Sequence, residues 1–580
     1  MSFQRRPDAT EDSVAAPGMR ATSWVPVPAA YAAIGAVLLY ANSLNNPFVY
    51  DDYRLIVENP TIQNLTGVLP ILVRDITRPL VSLSYAADTA VWGTRPFGYH
   101  MTNVLLHAVN VILVYWIGLL AATDWRRKGG GAFGLAPEPR VVALAASVLA
   151  AVHPVMTQAV GYVTGRSEVL YSLFFLASLL AARQWMRAGG WWWLASLALW
   201  VLSLASKETA AVLPLVLICY DAWLLDGDSA ARRRRVLRFY LPMALLVLMF
   251  GAGRLAVLAT LEYPGGSGPD WRFALVALEA FWRYFGLFVW PDNQSIIHTL
   301  PFPDGVTFRV LVELLALVVL LGLVWFLRRI QPIVGLGLLL AVLVLVPSSV
   351  LFITGVGEPM AEHRAYLSAI GFLLSCAAIA GIAWNRARSF GRTRVVAAVA
   401  VLFVLQLAGR TLIRNAVWGS SVGLARESVA LSPTHWMPRL LLAETLRQTG
   451  QCPQAVDEYR RVIALRQEEI FPRTKLLQCL LLTGRIPEAE QELRQLRVVD
   501  PSSQEAAMGL GMLAVARGET SESREYFQEV IAAAPARQDA RRFVQLLDGS
   551  LPEEQRTVMC GMVRALVPST MTGASPAVCP

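Results

Sequence analysis

Charge is scarce in this chain. Of its 580 residues, 16% are charged and 55% are apolar, and the mean hydropathy of +0.47 excludes an ordinary soluble protein. Cysteine and histidine number six each. There is no CxxC, no HExxH and no zinc-ligand spacing, so the common redox and zinc motifs drop out. Residues 1–28 are largely polar, with Pro17, Pro26 and Pro28, and no small-residue cleavage pattern follows the first apolar run. That run therefore reads as an uncleaved span. The net charge of +9 does not point to nucleic acid. The arginines cluster between apolar runs, where the positive-inside bias places them.

What is present is apolar sequence over residues 29–410, followed by a charged C-terminal part rich in Gln, Glu and Arg. Candidate spans are 29–44, 100–122, 141–153, 168–185, 191–205, 209–225, 238–259, 308–327, 333–353, 365–384 and 395–412. Several are shorter than the usual ~20 residues. Arg5, Arg6 and Arg20, then Arg126-Arg127-Lys128, Arg183 with Arg187, Arg232 to Arg235, Arg328-Arg329 and Arg386 to Arg394 mark the cytoplasmic side. The pattern closes if 271–290, which carries Arg272, Glu279 and Arg283, lies along the outer face without crossing. Eleven spans are expected, with the N-terminus inside and the C-terminus outside.

The unusual polar residues then share the outer side: Asp51-Asp52, Arg78, His100, His153 to Glu168, Lys207-Glu208, His298 and Glu358 to Tyr366. Five of the six histidines fall there. The adjacent carboxylates follow the first span in Asn46-Pro47-Phe48-Val49-Tyr50-Asp51-Asp52. Carboxylates at a membrane surface are costly unless solvated, paired or bound to a cation. The pair is read as a general base, as ligands for a divalent metal (Mn or Mg), or as solvated loop charges. His100, Asn103 and His107 recur on one helix face, where bonding between helices is the plain alternative. Arg166 with Glu168, and Lys207 with Glu208, could equally be internal ion pairs, and His363 could serve to orient Arg364. His298 is given no role.

A 34-residue period runs through the C-terminal part. Gly450, Gly484 and Gly518 keep it, as do Ala455, Ala489 and Ser523, then Tyr459, Leu493 and Phe527, and Pro501 with Pro535. This is the tetratricopeptide (TPR) pattern, a small residue letting two antiparallel helices approach and a larger one filling the gap. Such a solenoid typically binds a peptide or protein. Cys219 and Cys376 lie in spans. Cys452, Cys479, Cys560 and Cys579 lie outside and are free to oxidise, with Cys560–Cys579 one possible staple and the pairing open.

The loop motifs, taken in order, resemble the transmembrane and TPR-repeat-containing protein O-mannosyltransferases, GT-C-class enzymes that use polyprenyl-phosphate sugars. Besides the acidic run they are Arg78-Pro79-Leu80, Gly98-Tyr99-His100-Met101-Thr102-Asn103-Val104-Leu105-Leu106-His107, and His153-Pro154-Val155 with Gly165-Arg166-Ser167-Glu168. Ser206-Lys207-Glu208 and Glu362-His363-Arg364-Ala365-Tyr366-Leu367 complete the set. Two departures stand out: Tyr53 where a further acidic residue is common, and Ser368 where a proline is usual. The resemblance covers nearly all of residues 29–540. It implies an all-α chain: a cytoplasmic tail (1–28), a transmembrane catalytic domain (29–415), TPR repeats (416–548) and a tail (549–580). It implies a bacterial inner-membrane enzyme with periplasmic repeats that moves mannose from a polyprenyl-phosphate donor to a protein hydroxyl.

In that chemistry Asp51 or Asp52 is the base or a metal ligand, and Arg364, Lys207 and Arg166 meet the donor phosphate. Arg78, His100, Asn103, His107, His153, Glu168, Glu208, Glu362, His363 and Tyr366 support them. The partners are the lipid-linked donor, membrane lipid and an acceptor protein held by the repeats. Two other functions compete: a non-catalytic scaffold for envelope proteins, and a lipid-linked saccharide ligase or flippase. A scaffold has no reason to gather carboxylates and cations on the repeat-bearing side. A flippase should carry its ionisable residues in mid-span.

Overall fold

Apolar runs opened by proline and closed by arginine become the long helices. Pro96 and Pro139 sit in the first turns of Pro96–Arg127 and Pro139–Val152, where a missing N–H costs nothing. Arg126 with Arg127 and Arg328 with Arg329 occupy last turns, where they complement the helix dipole. The computed structural model describes residues 26–65, 67–129, 136–227, 229–257, 270–303, 305–353 and 358–564, and among these there are helices and no β-strand.

Seven helices are long and apolar enough to cross a membrane: Pro96–Arg127, Val163–Ala188, Ala230–Arg254, Phe308–Ile330, Pro332–Ile353, Glu362–Ser389 and Thr393–Val417. The bent pair Pro139–Val152 and Pro154–Gly161 would make an eighth. This is fewer than the eleven expected. The runs at Val27–Leu39, Trp192–Leu204 and Leu213–Leu224 form helices of 13, 13 and 12 residues. At 1.5 Å per residue these reach about 20 Å, short of a ~30 Å hydrocarbon layer. Trp271–Val289 is helical but is not one of the seven; its Glu279 pairs with Arg283 at 2.7 Å and Arg309 at 3.0 Å.

Burial sorts the helices into a centre and a rim. The apolar windows of Pro96–Arg127, Val163–Ala188 and Glu362–Ser389 are 56–61% buried, those of Phe308–Ile330 and Thr393–Val417 only 11%. The rim helices leave Leu315, Val318, Val399 and Leu402 bare, as lipid-facing side chains would be. In the centre Pro332–Ile353 and Tyr366–Ser389 pack backbone to backbone. A Cβ on Gly371 would stand 2.7 Å from the Gly337 carbonyl, so only glycine permits this approach. Ser368 donates to the Ala341 carbonyl at 2.6 Å across the same interface.

After Thr393–Val417 the chain turns into paired helices: Trp436–Gln448 with Cys452–Leu465, Ile470–Leu482 with Ile486–Val499, and Gln504–Arg517 with Thr520–Ala533. Each pair turns at Gly450, Gly484 or Gly518, all at φ between +69° and +79°, a conformation glycine adopts freely. Tyr459, Leu493 and Phe527 are buried in register. A polar tie recurs too: Arg439–Glu458 at 3.2 Å and Arg473–Glu492 at 3.4 Å. In the third pair Ala507 and Tyr526 stand at those positions and the tie is gone. Cys452 and Cys479 are joined as a disulfide, with Cα atoms 5.1 Å apart, linking the first pair to the second. Cys579, and with it the expected staple to Cys560, lies outside the described residues, as does residue stretch 1–25 of the N-terminal tail.

The repeats begin directly on the loops that carry the polar motifs. Val49, Tyr162, Ile296 and Ile297 share one apolar cluster with Trp418, Leu424, Leu441 and Tyr459. Ser295 and Ser428 hydroxyls lie 3.0 Å apart, and Arg414 donates to Glu427 at 2.6 Å.

Candidate functional site

The two adjacent aspartates part company. Asp52 is fully buried. Its Oδ2 accepts the Val49 N–H at 3.0 Å, and its Oδ1 accepts both the N–H and the hydroxyl of Thr164, at 2.9 and 2.5 Å. It ties the first outer loop to the turn before Arg166–Ala188. Burial pushes its carboxyl up to about 7, against these three donors. Asp51 instead keeps its side chain 39% exposed, with Arg54 3.8 Å away. Burial raises its carboxyl too, opposed by Arg54 and Arg78. Its backbone N–H donates to the Tyr162 hydroxyl at 3.1 Å. Tyr50 just before it has φ +49°, a left-handed conformation that costs a bulky side chain about 1–3 kcal/mol and persists only where neighbours enforce it.

Beside this loop lies a cluster of buried and half-buried ions. Arg78 donates to Glu208 at 3.1 Å. Lys207 is hydrogen-bonded to Glu168, both of them buried. Burial drags the Lys207 ammonium below its usual range, with Glu168 resisting. Burial would raise Glu208, but Arg78 and Lys207 together pull it down to about 2. The neighbours in sequence are thus not the partners in space: Lys207 reaches Glu168, not Glu208.

Arg364 completes the cluster. Its Nη1 donates to the Glu358 backbone carbonyl at 2.7 Å. No carboxylate among the described residues lies within 4.0 Å of it, and the Glu362 carboxylate is occupied elsewhere. Gln294 and the Ser295 N–H donate to Glu362 at 2.8 and 2.6 Å, and His298 Nε2 lies 2.8 Å from it. The fully buried Glu362 anchors the 294–298 loop, which gives His298 a contact that its sequence position did not suggest.

The remaining motif residues build the frame. Arg166 is fully buried and turned away from the ionic cluster. It contacts Asp88 at 2.6 Å, Asn103 Oδ1 at 2.7 Å and the Tyr99 carbonyl at 2.8 Å, and stacks over Tyr85 at 4.8 Å. Asn103 returns its amide N–H to the Tyr162 carbonyl at 3.1 Å. His100 Nε2 lies 3.0 Å from the Asn46 carbonyl, His107 Nδ1 2.7 Å from the Tyr366 hydroxyl, and His153 Nε2 3.1 Å from the Phe288 carbonyl. The His363 backbone N–H donates to Gln158 at 2.5 Å. Gly165 is required where it stands, because a Cβ there would be 2.7 Å from the Ala159 carbonyl.

The donor set does not fit a metal centre. Among the described residues no group of three or more His, Cys, Asp or Glu is placed to hold an ion. Asp52 has both oxygens committed to N–H and hydroxyl donors.

Sequence reasoning assigned no role to Tyr162, Asp88 or Asn110, and named Glu358 only as the start of the run Glu358 to Tyr366. Asp88 and Asn110 were findable, since an ionisable or amide side chain within an apolar helix is a signal in itself. Asn110 donates to the Val169 carbonyl at 2.9 Å and to the Tyr366 hydroxyl at 3.1 Å. Tyr162 and Glu358 carried no such signal.

No protein-family model matches the chain. It is similar to protein O-mannosyl-transferases. It is 25% identical over 444 residues to Protein O-mannosyl-transferase F38B6.6 of Caenorhabditis elegans, covering 73% of this chain and 60% of that one. It is 26% identical over 487 residues to mouse Protein O-mannosyl-transferase TMTC4, of which it covers 64%. A shorter stretch of 189 residues is 34% identical to Protein O-mannosyl-transferase Tmtc1 of Drosophila melanogaster, 20% of that protein. The chain thus spans less than two thirds of the length of these relatives. Among solved structures, the APC/C hetero-tetramer Cut9-Hcn1 aligns over 85% of the chain at 12% identity with a TM-score of 0.20, too low to bear on the fold.

Proposed function

We propose that this chain is a membrane glycosyltransferase of the GT-C type, moving mannose from a polyprenyl-phosphate donor to a hydroxyl of a protein acceptor. The observation that carries the reading is the Arg364 guanidinium, held by a backbone carbonyl and lacking a carboxylate, beside Lys207–Glu168 and Arg78–Glu208. Of these three cations Arg364 alone has no carboxylate within 4.0 Å among the described residues, Glu168 and Glu358 acting on it from further away. A phosphodiester would supply that close partner. Arg364 would grip two phosphate oxygens at once, and Lys207 would act as a point charge once freed from Glu168.

Transfer then needs a base. Asp51 is the accessible carboxylate and takes the proton from the acceptor hydroxyl. The hydroxyl oxygen forms a bond to the sugar's anomeric carbon, while the bond from that carbon to the phosphate oxygen breaks. Its electron pair leaves with the phosphate, where Arg364 and Lys207 offset the charge. A carboxyl raised by burial is a better base near neutral pH. Asp52 fixes the loop that presents Asp51. Arg166 holds the helices beneath.

The placement of the repeats against the Val49–Tyr162 cluster supports a role in presenting the acceptor. The Cys452–Cys479 pair supports an oxidising compartment for the repeats, and the arginine clusters support an N-terminus in the cytoplasm, as in a bacterial inner-membrane enzyme with periplasmic repeats. The test is transfer from radiolabelled polyprenyl-phosphate mannose by the purified chain, comparing wild type with Asp51→Asn and Asp52→Asn. Near-normal turnover in Asp51→Asn would refute the assignment and return the scaffold reading.

A further inference from the structure

Glu358 touches both halves of the site. Its carboxylate Oε1 accepts the Tyr50 hydroxyl at 2.7 Å, and its backbone carbonyl accepts Arg364 Nη1 at 2.7 Å. Tyr50 is bonded covalently to Asp51. A continuous path therefore runs from the accessible carboxylate, through the phenol, to the residue that seats the guanidinium. The two loops are 308 residues apart in sequence. No other hydrogen bond or ion pair joins residues 49–53 to residues 358–366 among the described residues. The left-handed backbone of Tyr50, φ +49°, aims the ring along this path and would relax if the path were cut.

We propose that the Tyr50–Glu358 hydrogen bond sets the distance between Asp51 and Arg364, making Tyr50 and Glu358 positioning residues for the transfer. The inference rests on the assignment of Asp51 as base and Arg364 as phosphate clamp. The link works through the hydrogen bond rather than the charge of Glu358. Glutamine at 358 keeps the acceptor oxygen and should keep the spacing.

The experiment uses the full chain in detergent, with transfer, donor titration and melting on one preparation. Tyr50→Phe and Glu358→Ala should each lower kcat by about 10- to 100-fold, the scale of a ~1 Å misplacement, with donor affinity changed less than about twofold. Glu358→Gln should stay within about threefold of wild type, since the bridge survives. In a double-mutant melting cycle, Tyr50→Phe with Glu358→Ala should be no worse than the more damaging single change, because both remove one bond. Wild-type kcat in Tyr50→Phe would overturn the proposal. So would equal damage from Glu358→Gln and Glu358→Ala, or additive melting losses. If the wild-type chain transfers nothing from polyprenyl-phosphate mannose, the functional reading fails by itself while the melting cycle still tests the link.

Discussion

Two ionic clusters lie at opposite ends of the same helices, and they are built differently. At the far end, Asp124 of Pro96–Arg127 accepts Arg183 through two bonds of 2.9 and 2.7 Å, Arg187 at 3.0 Å and the Tyr220 hydroxyl at 2.8 Å. There two arginines share one carboxylate, each within ion-pair distance of it. At the outer end, Glu168 and Glu208 are each matched, and Arg364 is left with a carbonyl. The first arrangement locks three helices together; in the second, Arg364 has no carboxylate within 4.0 Å among the described residues. Arg364 is half-buried rather than sealed off, which leaves it open to the proposed donor phosphate.

That contrast can be broken from either side. The largest effect on activity is expected at Asp51, where Asn should cost about 10²–10⁴-fold in transfer rate with melting unchanged. Asp124→Ala should do the reverse. Removing the acceptor of two buried arginines should cost about 3–5 kcal/mol, read as a large fall in melting temperature and in folded yield, whatever the donor. Next comes Arg364→Ala, which should abolish donor titration. Arg364→Lys, with the charge kept but the fork lost, should weaken it by an amount on the order of tenfold, one charged hydrogen bond's worth. Melting should stay near wild type in both. If Arg364→Ala instead melts early with an unchanged donor titration, the outer cluster is as structural as the inner one.

The smallest effect concerns pH. Asp52 titrates near 3.8 when unfolded and at about 7 in the fold. Its contribution to stability is therefore full below about pH 4 and lost as pH rises through 7. Melting of wild type should fall across that window, and Asp52→Asn should flatten the slope. Asn would also set its amide N–H against the Val49 N–H, lowering stability at every pH. A wild-type profile flat from pH 4 to 8 would show that Asp52 stays ionised throughout.

The period of 34 made the repeats legible, because each glycine turn and each buried small residue recurs at a fixed offset. The loop motifs gave the ingredients of the site as well. The pairings were not legible, for a geometric reason. Arg166 and Glu168 are two apart on a helix and so point to different sides, which is why one meets Asp88 and the other Lys207. Asp51 and Asp52 look identical in sequence. What separates them is Thr164, 112 residues away. The eleven expected spans and the seven or eight long apolar helices differ because composition reports apolar runs, while helix length is set by where turns such as Ala41–Ser43 and Glu208–Val212 fall.

Trp418, almost wholly buried, stacks on Tyr162 at 5.6 Å between ring centres, and Tyr162 in turn receives the N–H of Asp51. A truncation at the boundary suggested by sequence, near residue 416, would cut through this stack. The excised repeats would carry a greasy scar of Trp418, Leu424 and Leu441, prone to aggregate in water. The membrane half would lose the wall behind the ring that holds the Asp51 backbone. Neither fragment would be a faithful miniature of its part of the whole, so engineering of this chain should swap repeats distal to Cys479 and leave the first hairpin in place.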